Sequence, residues 1–147
     1  MDATEVRAAV EAGTPFARTL GSVLVSVGDG EAVLRLDAPA CLHNHVGGPH
    51  AATLFGLGET AAFAALLGVF PDLVGAGAVP LIKGAQVSYL SIATGVVTAT
   101  ARFGGQEDGV RESYARRGVA VFPVAVAMTA AGAEVCSMTA QMALKRF

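Results

Sequence analysis

Residues 49–70 read PHAATLFGLGETAAFAALLGVF, and this run decides the fold. Pro49 suits the opening of a helix, and Pro71-Asp72 closes it after about Val69. Between His50 and Phe70 the one ionisable side chain is Glu59, with Ala, Leu and Phe on every side. Such a helix has no solvated stripe, and a helix apolar all round belongs in the middle of a fold.

The flanks supply what wraps it. Upstream, Asp2 to Gly13 reads as a short helix, with Asp2 and Glu5 at capping-box spacing and Gly13 as its stop. Thr14-Pro15 opens a further turn. Ser22–Val27 and Glu31–Asp37 are β-rich runs joined by Gly28-Asp29-Gly30, a hairpin pattern. Downstream, Val79–Ala93 and Val96–Phe103 are predicted strands split by Thr94-Gly95. Asp108–Arg117 reads as an exposed helix, with Glu107/Arg111 and Glu112/Arg116 four apart. Val119–Thr129 and Glu134–Lys145 complete the set, linked through Ala131-Gly132. The first of these is apolar almost throughout, which predicts burial on both faces. The expectation is an α+β fold, a curved antiparallel sheet around one long central helix. It forms one domain over residues 1–147, with 1–20 as an N-terminal helical segment.

Composition narrows the partners. The 147 residues carry 10 Lys+Arg against 12 Asp+Glu, a net charge of -2 that gives no basic field for nucleic acid or anionic lipid. Hydrophobic residues make up 53% and charged ones 15%, too little charge to cover a lone monomer, so subunit contacts are expected. The first residues are acidic and do not resemble a secretory signal. Gly118–Ala133, the longest uncharged apolar stretch, contains Pro123 and falls short of the roughly 20 residues of a membrane span. Cys41 and Cys136 form no paired motif and read as reduced thiols, consistent with a cytoplasmic protein.

Three features carry chemistry. Glu59 is an acid without polar company: Phe55, Gly56, Ala62 and Phe63 occupy the positions three and four away. Desolvation makes that arrangement costly unless the carboxylate is paired or used. Gly47-Gly48 permit close approach of backbone to a ligand, and the N–H groups after Pro49 form a donor end for an oxygen gaining charge. Cys41, His43, His45 and His50 have the alternation of a metal site, yet no carboxylate or second ligand pair accompanies them. They read as a polar loop, and neither metal nor cofactor is expected.

The stretch from Asn44 through Gly47 and His50 to Glu59 resembles the signature of hotdog-fold acyl-CoA thioesterases of the phenylacetyl-CoA (PaaI-like) type. That pattern has Asn, Gly three later, His-Gly-Gly from six later and an acid fifteen later. Ser88-Tyr89-Leu90 followed by Gly95 is similar to its later strand pattern, and the likeness runs from about Phe16 to the C-terminus. Here the pair after His50 is Ala51-Ala52, the acid is Glu, and Phe63 replaces a hydroxyl that some members place one turn on. The resemblance implies a thioester hydrolase with Glu59, Asn44, His50 and Ala51 as catalytic residues. It also implies that Gly47, Gly48, Thr60 and Phe63 bind an acyl-CoA-like substrate.

Helix geometry adds a constraint of its own. His50 and Glu59 lie roughly 13 Å apart along the axis and face opposite sides, at about 100° per residue. One helix cannot bring both to one carbonyl, whereas two antiparallel copies about a two-fold axis can. A homodimer is therefore the minimal expected unit, and a homotetramer is open. In this reading the Ala51 N–H polarises the thioester, and Glu59 of the partner activates water or attacks directly. Asn44 orients water or carbonyl, and His50 fixes the loop or donates a hydrogen bond. Two alternatives stand beside it: a hotdog hydratase or dehydratase, using His45 with Glu59, and a non-catalytic acyl-CoA or lipid-binding hotdog protein. Arg102, Arg111, Arg116 and Arg117 read as solvated charges ahead of phosphate ligands.

Overall fold

Asp2 starts the first helix. Its carboxylate accepts the Thr4 and Glu5 N–H groups, and Glu5 accepts the Asp2 N–H in return. That reciprocal pairing satisfies donors the helix start would leave bare. In the computed structural model, which describes Met1–Phe147 throughout, α1 (Ala3–Gly13) and α2 (Pro15–Leu20) follow. β1 (Val23–Gly28) and β2 (Glu31–Leu36) form the expected hairpin. Its turn residues Asp29 and Gly30 have φ of 50° and 75°, the left-handed pair a tight hairpin demands. One 3-10 turn (Ala40–Leu42) leads through a loop to α3 (Ala51–Val69), with α4 (Pro71–Gly75) beyond it. β3 (Val79–Tyr89), β4 (Val97–Phe103), α5 (Glu107–Arg117), β5 (Val119–Ala130) and β6 (Ala133–Lys145) complete the chain.

All strand pairings are antiparallel, in one sheet ordered β1-β2-β4-β5-β6-β3. α3 touches all six strands, so the helix lies in the hollow of the sheet. This is the hotdog arrangement. Leu57, Ala61, Ala62, Ala64, Ala65 and Leu66 are fully buried, as an all-round apolar helix requires. Small residues set how closely it nests. A Cβ built on Gly58 would stand 2.5 Å from Met128 Cε and 2.9 Å from Met138 Sδ, so these two methionines of the sheet fill the space that a side chain at 58 would take. α3 is long and apolar enough to cross a membrane by composition, but 67% of that window is packed inside the fold.

Phe70, Phe103 and Phe122 cluster beyond the end of α3 with ring centres 5.3–5.5 Å apart, Phe103 edge-on to both others and Phe70 tilted against Phe122. Arg111 of α5 lies over Phe70 and reaches Asp72 at 2.7 Å. That guanidinium holds the Asp72 carboxyl below the usual carboxylate range, chiefly through its hydrogen bond.

Four expectations need correction. The central helix begins at Ala51 rather than Pro49, because the His50 side chain caps it and His50 itself is extended. Pro71 does more than close that helix; it opens α4. β3 ends at Tyr89, short of Ala93. β5 is buried on one face only: Val121, Ala125 and Thr129 point outward and are exposed. Its outer face is built of Val, Ala and Thr, so composition could not tell it from a covered one. Pro123 is accommodated inside β5 because β4 has ended beside it, and Gly104 N–H donates to the Pro123 carbonyl there.

Candidate functional site

The loop before α3 is tied to itself by Asn44. Its Oδ1 accepts the Val46 N–H at 3.0 Å and the Gly48 N–H at 3.2 Å, while its backbone N–H donates to Gly48 O. These bonds fix the amide's orientation, so the Nδ2 donors face away from the loop and have no acceptor in the chain. Gly47 is exposed at the loop tip with φ of 84°. Gly48 is buried, and a Cβ there would collide with the Ala93 carbonyl oxygen. Its close approach on that side is to the chain's own backbone. Gly48→Ala is expected to destabilise the fold by about 3 kcal/mol, because a backbone atom cannot yield as a side chain can. Thermal unfolding should then fall by roughly 6–12 °C.

His50 Nδ1 accepts the Ala52 N–H at 3.0 Å, which caps the helix and removes that donor from solvent. The Ala51 N–H donates to no group in the chain. It stands at the positive end of a 19-residue helix, where an oxygen gaining negative charge is stabilised. Ala51 and Asn44 line one crevice with Leu54, Tyr89 and Ile92.

Tyr89 escaped notice as a site residue, although its strand motif was visible. Its hydroxyl donates to the Ala51 carbonyl at 3.2 Å and joins the end of β3 to the start of α3. Burial, then the nearby Cys136, push the phenol pKa up and keep it a donor.

Glu59 belongs elsewhere. It is half-buried, makes no hydrogen bond or ion pair within the chain, and lines a second cavity with Thr60, Phe63 and Leu67. The far walls are Val79 to Ile82 of β3 and Ala9, Gly13 and Thr14 of the N-terminal helices. Thr60 Oγ1 is spent on Gly56 O at 2.7 Å. The two cavities share no residue. One chain therefore holds the donor end and the acid apart, as the helix arithmetic required.

The remaining candidates lie outside both cavities. His43 Nε2 is 2.8 Å from Ala38 O, Cys41 and His45 are exposed, and no three metal-capable side chains converge. Arg102 pairs with Glu31 at 2.7 Å and Arg111 with Asp72 and Glu107. Arg116 lies 3.8 Å from Glu112, and Arg117 bonds Ser113.

A family model described as a domain of unknown function (DUF4442) matches residues 3–144. Among solved structures, the chain is similar to a Pseudomonas aeruginosa protein described as a probable thioesterase. The TM-score is 0.82 at 23% identity, covering 99% of this chain and 96% of that one. A Staphylococcus aureus thioesterase enzyme gives 0.72 at 19% identity, over 90% of this chain and 100% of the other. The Escherichia coli PaaI protein of the phenylacetic acid degradation operon gives 0.69 at 19%, over 99% and 94%. At such identities the likeness is one of fold. No curated protein matches the sequence.

Proposed function

The chain belongs to the DUF4442 family, and from that premise we propose that it is a thioester hydrolase of acyl-CoA-type substrates, acting through a site that two copies build together. All 147 residues work as one domain in this reading. The observation that carries it is the pairing of unspent groups at the two ends of β3. The Ala51 N–H and Asn44 Nδ2 donors border its Tyr89 end, and the free Glu59 carboxylate borders its Val79 end.

β3 is an edge strand of 11 residues with Val79, Leu81 and Tyr89 exposed. Long apolar edges of this kind invite pairing with another strand. Antiparallel pairing of β3 with its own copy, about a two-fold axis near Gly84, lays the Val79 end of one beside the Tyr89 end of the other. Glu59 of one subunit then faces the α3 start of its partner. The exposed Cys41 fits a reducing, cytoplasmic setting.

In the proposed reaction the thioester carbonyl oxygen accepts from the Ala51 N–H, with Asn44 Nδ2 as a second donor. His50 keeps the helix start rigid by holding the Ala52 N–H. Glu59 either removes a proton from the attacking water or attacks to form an anhydride that water then opens. Both routes release a free acid and the thiol. Gly47 leaves the approach to the crevice open, and Thr60 and Phe63 wall the acyl side.

The test is thiol release from a panel of acyl-CoAs, run beside enoyl-CoA hydration and beside sedimentation of the same sample. Thiol release from a dimer or larger assembly is expected. Hydration without thiol release would favour the lyase chemistry, binding with neither would favour a carrier, and hydrolysis by a monomer would remove the shared site.

A further inference from the structure

The cavity at Glu59 has a direction. Glu59, Phe63 and Leu67 stand at i, i+4 and i+8 on α3, so they line it as one stripe from the acid inward. Val74 of α4 closes the end beside Leu67, and Ile82 and Met142 wall the sheet side. Leu67 and Met142 are almost fully buried and form a firm floor. Apart from Glu59 the polar side chains are two. Thr60 has already given its hydroxyl to Gly56 O. Thr14, at the α1–α2 junction, makes no side-chain capping bond. Nothing at the Leu67 and Val74 end can receive a hydroxyl or a charge, and a polar group buried there without a partner is disfavoured.

Resting on the thioesterase reading, we propose that the acyl group is an unsubstituted apolar chain lying along this stripe, with Val74 and Leu67 meeting its terminal methyl. The cavity measures about 390 Å³. Since an apolar cavity of about 150 Å³ accepts the six carbons of benzene, this one takes roughly fifteen carbons. Phe63 presses on the middle of the chain and limits branching. The N-terminal helices belong to the binding site through Ala9, Gly13 and Thr14, so the segment before the sheet does more than cap the core.

The experiment measures kcat/KM for straight-chain acyl-CoAs from C4 to C16 and for 4-hydroxyphenylacetyl-CoA. It uses wild type, Val74→Phe and Phe63→Ala. A non-hydrolysable S-alkyl CoA thioether series, followed by calorimetry, reads the same cavity without turnover. In wild type, kcat/KM should climb roughly fourfold per methylene until the cavity fills. The hydroxylated aryl substrate should be poor. Val74→Phe, at a half-buried position, should shorten the preferred chain in both series. Phe63→Ala should admit branched chains. A wild-type preference for the C4 or the hydroxylated aryl substrate, or a length profile untouched by Val74→Phe, overturns the proposal while hydrolysis itself stands. Absence of thiol release from every substrate, with thioether affinity still rising by chain length and falling in Val74→Phe, overturns the thioesterase reading and keeps the chain-binding cavity.

Discussion

Glu59→Gln is expected to lower thioester hydrolysis by about 10³-fold while leaving fold and assembly as they were, since a positioned general base commonly contributes 10²–10⁴. The substitution is isosteric, and the side chain it replaces is half-buried without a hydrogen bond or ion pair in the chain. No native partner is orphaned, so stability should stay within about 0.5 kcal/mol of wild type, readable as an unchanged melting profile. Thioester binding should persist, because the amide keeps the shape of the wall. A kcat loss with KM nearly constant therefore marks an acid that acts on the reaction more than on the substrate's ground state. A variant that still turns over at the wild-type rate takes Glu59 out of the chemistry and leaves its isolation on α3 to be explained by the subunit boundary alone.

How far the sequence revealed this molecule depends on which physical signal each element carries. α3 was legible because nineteen residues with one ionisable side chain have no alternative but the core, and the hairpin because Gly28-Asp29-Gly30 demands left-handed backbone. The helix start was misjudged by two residues. Pro49 suits the first helical turn, yet the actual cap is an imidazole nitrogen, a choice that composition does not announce. The outer face of β5 misled for a different reason: Val121 and Ala125 look the same in sequence whether or not anything covers them.

At the site, sequence and helix geometry supplied the separation of His50 from Glu59 because that depends only on rise and twist along one helix. It could not supply Tyr89, since the bond from its hydroxyl to Ala51 O joins residues 38 positions apart. Nor could it show that the Ala93 carbonyl occupies the space where a side chain at position 48 would begin. Such contacts are set by how β3 and its following loop fold back over the helix start, which no local pattern records.

Ala51→Pro should cost about 10²–10³ in kcat/KM, the usual effect of removing one oxyanion donor. The substitution is unusually clean. Proline is favoured at the first position of a helix, where the lost N–H has no intrahelical partner. The residue before it must be extended, and His50 already has φ of -61° and ψ of 151°. The helix should therefore start as before, with only the donor gone. Paired with Glu59→Gln, this variant tests where the site lies. If the acid of one subunit serves the helix start of the other, a mixed dimer has one doubly altered site and one fully native site. Co-expression of the two inactive chains in equal amounts makes half the dimers mixed, so activity should return to about a quarter of wild type. Were both groups to act within one chain, every site in every dimer would carry one lesion and nothing would return. The two architectures thus differ by orders of magnitude in a single assay, and activity no higher than that of either parent would place the reaction inside the lone subunit.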